Sequence, residues 1–237
     1  MGHLPHLTTF ITARVNNPLD RGYSDQTLNP QKYKVLLIHD SHHTSFKYDL
    51  FPKKFVVTKI KATSMKRLDE IPDLPKLLES RKIHVIFVHL GFNDLTKGQN
   101  VDDLLARYGR LVRYLMNTTS SSICLSSILF TRDDVNLNDK ISYVNKEMYR
   151  MVSRLRDNSR RAKEALFSYT NRSLGSISVP KPELLKEDGV HLTQHGTVKL
   201  MLNLKDALLK CLRLPRDSLA RTSSNHQAPH ISTDYYD

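Results

Sequence analysis

The sequence predicts an α/β fold of three layers, in which a five-stranded parallel sheet lies between two layers of helices. Short segments rich in branched apolar residues recur along the chain, and the best of them are apolar on both faces, as central parallel strands are. Segments with helical spacing alternate with them. The 237 residues are enough for one such domain with a sizeable core.

The apolar segments give five strands. We expect them at residues 35–38, 55–60, 83–90, 123–130 and 166–169. The third is the clearest, and it carries His84, which we interpret as a structural histidine. With the first strand near the middle of the sheet, the order is flavodoxin-like, and ligands bind at the carboxyl ends of the strands.

Helical spacing predicts three main helices. Asn100 is the expected N-cap of a helix over 101–115, a long helix follows over 139–163, and Thr193 caps a helix over 194–212. The long helix carries Lys146, Arg150 and Arg154 on its outer side, which favours a solvated face. Residues 65–78 contain two prolines and predict a broken helix at best.

Composition predicts where the domain begins and ends and which kinds of partner it binds. We expect a loosely ordered leader at 1–32, the α/β domain at 33–213 and a disordered tail at 214–237. Lys and Arg exceed Asp and Glu by 36 to 24, a net charge of +12 that favours acidic partners such as nucleic acid.

The two cysteines, Cys124 and Cys211, lack metal-ligand spacing, and we expect both to be buried thiols. No signal peptide or membrane span is apparent, so the expected location is intracellular, in the cytoplasm or nucleus.

The polar residues that follow the strands suggest nucleophilic chemistry. Ser41 comes directly after the first strand, where a hydroxyl group faces bound ligands, but it needs a base to become a nucleophile. His191 is the candidate base. Asp188 lies three residues earlier, a spacing that lets its carboxylate receive the imidazole N–H and hold the ring in one tautomer.

An oxyanion formed in such a reaction needs hydrogen-bond donors. The Ser41 backbone N–H is one candidate and the Asn93 side-chain amide is another. Gly91 permits the tight backbone that directs Asn93 into the cleft at the end of the third strand, and Asp94 completes that segment.

Three sequence blocks carry a family resemblance: His39-Asp40-Ser41, Gly91-Phe92-Asn93-Asp94 and Asp188-Gly189-Val190-His191-Leu192. They resemble blocks of the SGNH (GDSL-type) hydrolases, over roughly residues 34–212. Within that family, the chain resembles the SGNH-like domains of uncharacterised animal proteins and of some non-LTR retroelements. The resemblance implies a flavodoxin-like fold, a serine esterase with Ser41 as nucleophile, His191 as base and Asp188 as its orienting carboxylate, and no metal or other cofactor.

The chain departs from the family pattern at two positions. His39 replaces the glycine that begins the first block, and Lys61 aligns with the glycine whose N–H lines the oxyanion hole. The Lys61 N–H remains a candidate donor, although its side chain changes the size and charge of the hole. His39 and Asp40 shape the approach to Ser41.

Two functions follow, and the first is favoured. The first is an SGNH-type hydrolase that cleaves a small acyl or acetyl ester through an acyl-enzyme on Ser41. The second is a catalytically impaired SGNH-fold binding module that contacts nucleic acid through its basic surface. A third interpretation makes Ser41 only an N-cap and residues 188–191 only a turn. The sequence leaves the oligomeric state and the substrate open.

Overall fold

A parallel sheet of five strands forms the centre of the domain. The structure is a computed structural model that describes residues 32–40, 53–62, 65, 74, 78, 82–175 and 181–214. All strand pairs are parallel, and the order across the sheet is β2-β1-β3-β4-β5. The strands are β1 (Tyr33–His39), β2 (Phe55–Lys61), β3 (Val85–His89), β4 (Ser122–Ser126) and β5 (Leu166–Tyr169). The predicted flavodoxin-like order is confirmed.

Five α-helices lie in the described part of the chain. They are α1 (Phe92–Thr96), α2 (Val101–Thr118), α3 (Val135–Asn158), α4 (Arg160–Ala165) and α5 (Gln194–Leu212). The predicted caps are confirmed: the Asn100 side chain accepts the N–H of Asp102 at 2.7 Å, and the Thr193 hydroxyl accepts the N–H of Gly196 at 3.1 Å. These bonds fix where the helices begin.

The sheet separates two apolar cores, which gives the three layers. Side chains alternate across each strand, so Leu36 and Ile38 pack with α2 and α3 on one face, whereas Val35 and Leu37 pack with α5 on the other. Both faces of β1 and β3 are buried, as the apolar sequences of these strands predict. We call these sides the α2/α3 face and the α5 face.

Two elements differ from the sequence-based expectation. Strand β4 ends at Ser126 instead of continuing to residue 130, because the chain leaves the sheet there and enters a loop whose residues Ile128 and Leu129 are buried in opposite cores. The predicted helix over 139–163 begins earlier and is interrupted at Ser159, whose backbone is extended and whose hydroxyl caps α4.

Other predictions were right. His84 is structural: its Nδ1 accepts the Lys34 N–H at 3.0 Å, and its ring packs edge-on against Tyr33. Cys124 and Cys211 are buried free thiols. Within the described segments, none of the helices combines the length and apolar character that crossing a bilayer requires. The leader, the tail and the broken helix fall mainly outside the described residues, so the domain boundaries stay predictions.

Candidate active site

The carboxyl ends of the parallel strands bring the candidate residues to one edge of the sheet. His39 is the last residue of β1, and Asp40 follows it; both side chains are buried. Ser41 comes directly after them but lies outside the described residues, as do His42 and His43. The structure therefore gives the position where the chain leaves β1 and no geometry for the serine.

The His39 ring lies under the edge of the sheet on the α5 face. Its Nδ1 donates to the Asp40 carbonyl oxygen at 2.6 Å, and only 2% of the residue is exposed. Burial lowers the pKa of His39 below its ordinary value of 6.5, so the ring is neutral at physiological pH. His39 therefore adds no positive charge at the point where the chain leaves β1.

Lys61 ends β2 opposite His39 in the parallel register. Its side chain is exposed. The next residue, Ala62, donates its N–H to the His39 carbonyl oxygen at 2.9 Å. Because successive N–H groups of a strand point to opposite sides, the Lys61 N–H points to the side of β2 away from β1.

Gly91 makes the turn that follows β3. Its φ of +105° is in the region that favours glycine, and a Cβ at this position would lie 2.8 Å from Cδ1 of Ile128. The half-buried Asn93 is the second residue of α1, which begins immediately after the turn. Gly91 is thus required for both the backbone conformation and the close packing that position Asn93.

Asp94 is buried and holds a neighbouring turn. Both of its carboxylate oxygens accept the Met65 N–H, at 3.1 and 2.9 Å. Met65 follows β2 along the chain, so this contact connects the ends of β2 and β3. Asp94 therefore holds the segment after β2 against the start of α1.

Asp188 and His191 form a hydrogen-bonded pair on one turn. His191 Nδ1 donates to Asp188 Oδ2 at 2.7 Å, while Asp188 Oδ1 accepts the backbone N–H groups of Val190 and His191 at 2.9 and 2.8 Å. These three hydrogen bonds hold the pKa of Asp188 well below its usual range, and the two bonds from backbone N–H groups have the largest effect. Both side chains are about half exposed, at 49% and 48%, so the pair is accessible to a ligand.

The loop that carries this pair is attached to the segment after β4. The Arg132 N–H donates to the Gly189 carbonyl oxygen at 2.9 Å, and the Arg132 guanidinium donates to the Glu187 carbonyl oxygen. Lys186 donates its N–H to the His191 carbonyl oxygen at 2.7 Å, which closes the turn. The loop thus lies beside the carboxyl end of β4, at the same edge of the sheet as Asp40 and Gly91.

Two asparagines of α3 hold this segment in place. The Asn138 side-chain amide donates to the Thr131 carbonyl oxygen at 2.8 Å, and its oxygen accepts the backbone N–H of Thr131, also at 2.8 Å. Asn145 makes the same pair of bonds with Ile128, at 2.8 and 2.9 Å. The segment Ile128–Arg132 contacts Gly91 at one end and Gly189 at the other, so these asparagines position both flanks of the site. The sequence did not reveal these contacts, because the bonded residues lie 7 and 17 positions apart along the chain.

A buried polar chain crosses the α5 face below the edge. His89 pairs in register with His39. The distance from His89 Nδ1 to the Ser126 hydroxyl oxygen is 3.0 Å. Asn171 donates to that hydroxyl at 2.9 Å and accepts from the Asn203 amide at 3.1 Å. The chain connects β3, β4, the residues after β5 and α5. His89 at the end of an apolar strand was the only sequence signal for it.

The described residues contain no group of three or more His, Cys, Asp or Glu side chains able to hold a metal ion. The site consists of a carboxylate–imidazole pair, a half-buried carboxamide and a glycine turn around the strand ends. Such groups can transfer a proton and bind an oxyanion.

No protein-family model matches the sequence, and no curated protein matches it. Solved structures do match. The chain is similar to an acetyl esterase, crystallised as a serine-to-alanine mutant with acetate ion (14% identity, TM-score 0.60, covering 76% of this chain and 98% of that one). It is also similar to an acetylxylan esterase from Geobacillus stearothermophilus (13%, 0.56, 78% and 96%).

A third similar structure is the psychrotrophic esterase EstA from Pseudoalteromonas sp., inhibited by monoethylphosphonate (15% identity, TM-score 0.53, covering 77% of this chain and 100% of that one). In the acetylxylan esterase, a serine-to-alanine and an aspartate-to-alanine variant are both described as catalytic mutants. At these identities the likeness concerns the fold. The chain therefore has an SGNH-like α/β fold, of the kind that these esterases share.

Proposed function

We propose that the protein is an SGNH-type serine ester hydrolase. The observation that carries this proposal is the Asp188–His191 hydrogen bond of 2.7 Å, made on a half-exposed turn beside the carboxyl ends of the strands. Ser41 follows Asp40 in the sequence, and Asp40 is the residue at which the chain leaves β1 at the same edge. An imidazole that is held in one tautomer by a carboxylate is the base that a serine hydroxyl needs.

The reaction follows from the roles of these groups. His191, whose Nδ1–H is directed to Asp188, takes the Ser41 proton at Nε2 while Ser41 Oγ bonds to the ester carbonyl carbon. The carbon–oxygen bond to the alcohol then breaks, His191 returns the proton to the leaving alkoxide, and an acyl-enzyme remains. Water, deprotonated by the same imidazole, attacks the acyl carbon and releases the carboxylic acid and Ser41.

Three donors are proposed for the oxyanion. They are the Ser41 backbone N–H, the Asn93 amide and the Lys61 N–H. Asn93 has the strongest support, because Gly91 and Ile128 fix the turn from which it projects. Lys61 has the weakest, since its N–H points away from β1. Loss of one oxyanion donor reduces the rate by roughly 10²–10³-fold.

The proposed substrate is a small acyl ester, with an acetyl ester as the first choice. Similarity to an acetyl esterase and an acetylxylan esterase supports an acetyl group. The proposed chemistry uses no cofactor. The alcohol part of the ester is not specified by any of the residues described.

Two linked experiments test the proposal. Hydrolysis of p-nitrophenyl acetate is compared between the wild type, Ser41→Ala and the matched control Ser153→Ala, an exposed serine of α3. We expect loss of hydrolysis in Ser41→Ala alone. A fluorophosphonate probe should label Ser41, and His191→Ala should abolish that labelling. Equal rates for Ser41→Ala and the wild type, or labelling that persists without Ser41, would refute the proposal.

A second candidate function is a catalytically impaired SGNH-fold binding module. Lys61 favours it, because the chain has neither the family glycine nor an N–H directed toward β1 at this position. The resemblance to retroelement-derived domains and the net charge of +12 make nucleic acid the proposed ligand of such a module. Absence of both hydrolysis and probe labelling in the wild type would favour this candidate.

A further inference from the structure

A groove on the α2/α3 face is lined by arginines from two helices. Arg110 and Arg113 project from α2, and Arg154 projects from α3. The groove has a volume of about 320 Å³, and Leu105 of α2 and Met151 of α3 contribute apolar surface to its lining. The apposition of these helices brings together basic residues that lie more than forty positions apart in the chain.

The three arginines lack anionic partners among the described residues. Neither an ion pair nor a side-chain hydrogen bond joins any of them to that part of the chain. The groove's own carboxylate, Glu147, is bound by Arg150 at 2.6 Å. The positive charge in the groove is therefore not neutralised from within the described structure.

This arrangement opposes helix stability. Arg110 and Arg113 are three residues apart on α2, and Arg150 and Arg154 are four apart on α3. Like charges at these spacings face each other and destabilise a helix by a few tenths of a kcal/mol per pair. Among the described residues, the three groove arginines thus add no ion pair that would stabilise the fold, and their charge is available to an anionic ligand.

The Arg113 guanidinium lies over Gly109 of α2 and beside Met151 of α3. A Cβ at Gly109 would be 3.6 Å from Arg113 Nη1 and 3.7 Å from Met151 Sδ, both ordinary van der Waals distances, so the α2 backbone itself lines the groove at this point.

Two exposed aromatic rings each lie one helical turn from a residue that lines the groove. Tyr114 lies one turn beyond Arg110 on α2, and Tyr143 lies one turn before Glu147 on α3; they are 37% and 47% exposed. Proteins bind single strands with a basic groove that follows the phosphates and with aromatic rings that stack on the bases. The most exposed aliphatic side chains among the described residues, Val135 and Leu202, lie outside this groove, at the start of α3 and on α5. A membrane surface is therefore the poorer match.

We propose that the groove formed by Arg110, Arg113 and Arg154 binds the phosphate backbone of single-stranded nucleic acid. The site is independent of the proposed hydrolase site, since none of its residues belongs to that site. Binding there does not require that Ser41 be active.

Fluorescence anisotropy of the full chain with a labelled oligouridine of about 16 nucleotides tests the proposal. The variant replaces Arg110, Arg113 and Arg154 with Gln. Its matched control replaces Lys32, Lys82 and Lys181, three exposed lysines outside the groove, with Gln and so removes the same charge. A third variant replaces the three arginines with Lys and keeps the charge.

We expect the arginine-to-Gln variant to bind at least about tenfold more weakly at 50 mM salt, and its slope of log affinity against log salt to fall by about 2, or 0.7 per lost phosphate contact. The control and the Lys variant should stay within about threefold of the wild type. Hydrolysis of p-nitrophenyl acetate should be equal in all four proteins, so a failure of either proposal can be recognised separately.

Three outcomes would overturn the proposal. One is an unchanged affinity of the arginine-to-Gln variant, and another is an equal loss in the lysine control, which would assign binding to net charge alone. The third is binding to phosphatidylserine vesicles without binding to the oligonucleotide, which would assign the groove to a membrane. The melting temperature of the arginine-to-Gln variant should equal or exceed that of the wild type, because this variant removes the repulsion between arginines within α2 and within α3.

Discussion

Asp188 uses its two carboxylate oxygens for different purposes: Oδ2 accepts the imidazole Nδ1–H of His191 at 2.7 Å, and Oδ1 accepts the backbone N–H of the same residue at 2.8 Å. One carboxylate thereby fixes both the tautomer and the backbone position of its histidine. Because these bonds hold the pKa of Asp188 well below its usual range, the carboxylate stays ionised over the whole pH range in which an esterase is assayed.

Asp188→Asn should therefore reduce kcat for p-nitrophenyl acetate by roughly 10³–10⁴-fold, with a small change in KM. An amide is a weaker acceptor than a carboxylate and does not stabilise the imidazolium that forms in the reaction. Steady-state kinetics measure the effect. The matched control is Asp157→Asn, an exposed aspartate near the end of α3, which should keep the wild-type rate. A kcat within about twofold of the wild type would remove Asp188 from the mechanism.

Gly91→Ala and Gly98→Ala separate crowding from backbone strain. Both glycines have positive φ, +105° and +78°, but a Cβ at Gly91 would lie 2.8 Å from Ile128, whereas a Cβ at Gly98 has nothing within 4 Å. We expect Gly98→Ala to lower the free energy of unfolding by about 1–2 kcal/mol and Gly91→Ala by about 2–4 kcal/mol, because overpacking adds to the strain. Urea denaturation measures both. Equal losses would show that Ile128 moves aside without cost.

Asn145→Ala should lower the free energy of unfolding by about 1–3 kcal/mol. The substitution leaves the N–H and the carbonyl oxygen of Ile128 without their side-chain partner. Asn117→Ala, at an exposed position near the end of α2, serves as the control and should change stability by less than about 0.5 kcal/mol. If the two variants unfold at the same urea concentration, the two hydrogen bonds between Asn145 and Ile128 contribute nothing to the free energy of unfolding.

His39 should make the protein less stable in mild acid. Burial lowers the pKa of His39 in the folded state, so below pH 6.5 the unfolded chain binds a proton that the folded chain resists. Stability is therefore full above pH 6.5 and falls as the pH decreases toward the folded-state pKa. Each kcal/mol lost lowers Tm by about 2–4 °C in a domain of this size.

The test replaces His39 with Asn, whose amide can donate from the position of Nδ1. Between pH 7 and pH 5, Tm should fall less in His39→Asn than in the wild type. An identical decline in the wild type and His39→Asn would disprove the assignment.

Local features were accessible from the sequence because they depend on neighbours along the chain. Asn100 and Thr193 cap helices through bonds that reach two or three residues. The Asp188–His191 contact spans three residues, and it is found at the predicted spacing; its catalytic role and that of Ser41 remain predictions. The helix break was missed because Ser159 interrupts a stretch whose apolar spacing continues across it.

By itself the sequence determined the layers, the strand order and the polar groups that end the strands, since alternation of apolar residues and short-range hydrogen bonds govern them. Only the tertiary structure decided which distant residues meet. The Asn145 clamp on Ile128, the buried chain from His89 to Asn203 and the arginine groove between α2 and α3 each join separate elements. The physical reason is that spacing along a helix or strand specifies which face a residue occupies, whereas the packing of elements specifies what that face contacts.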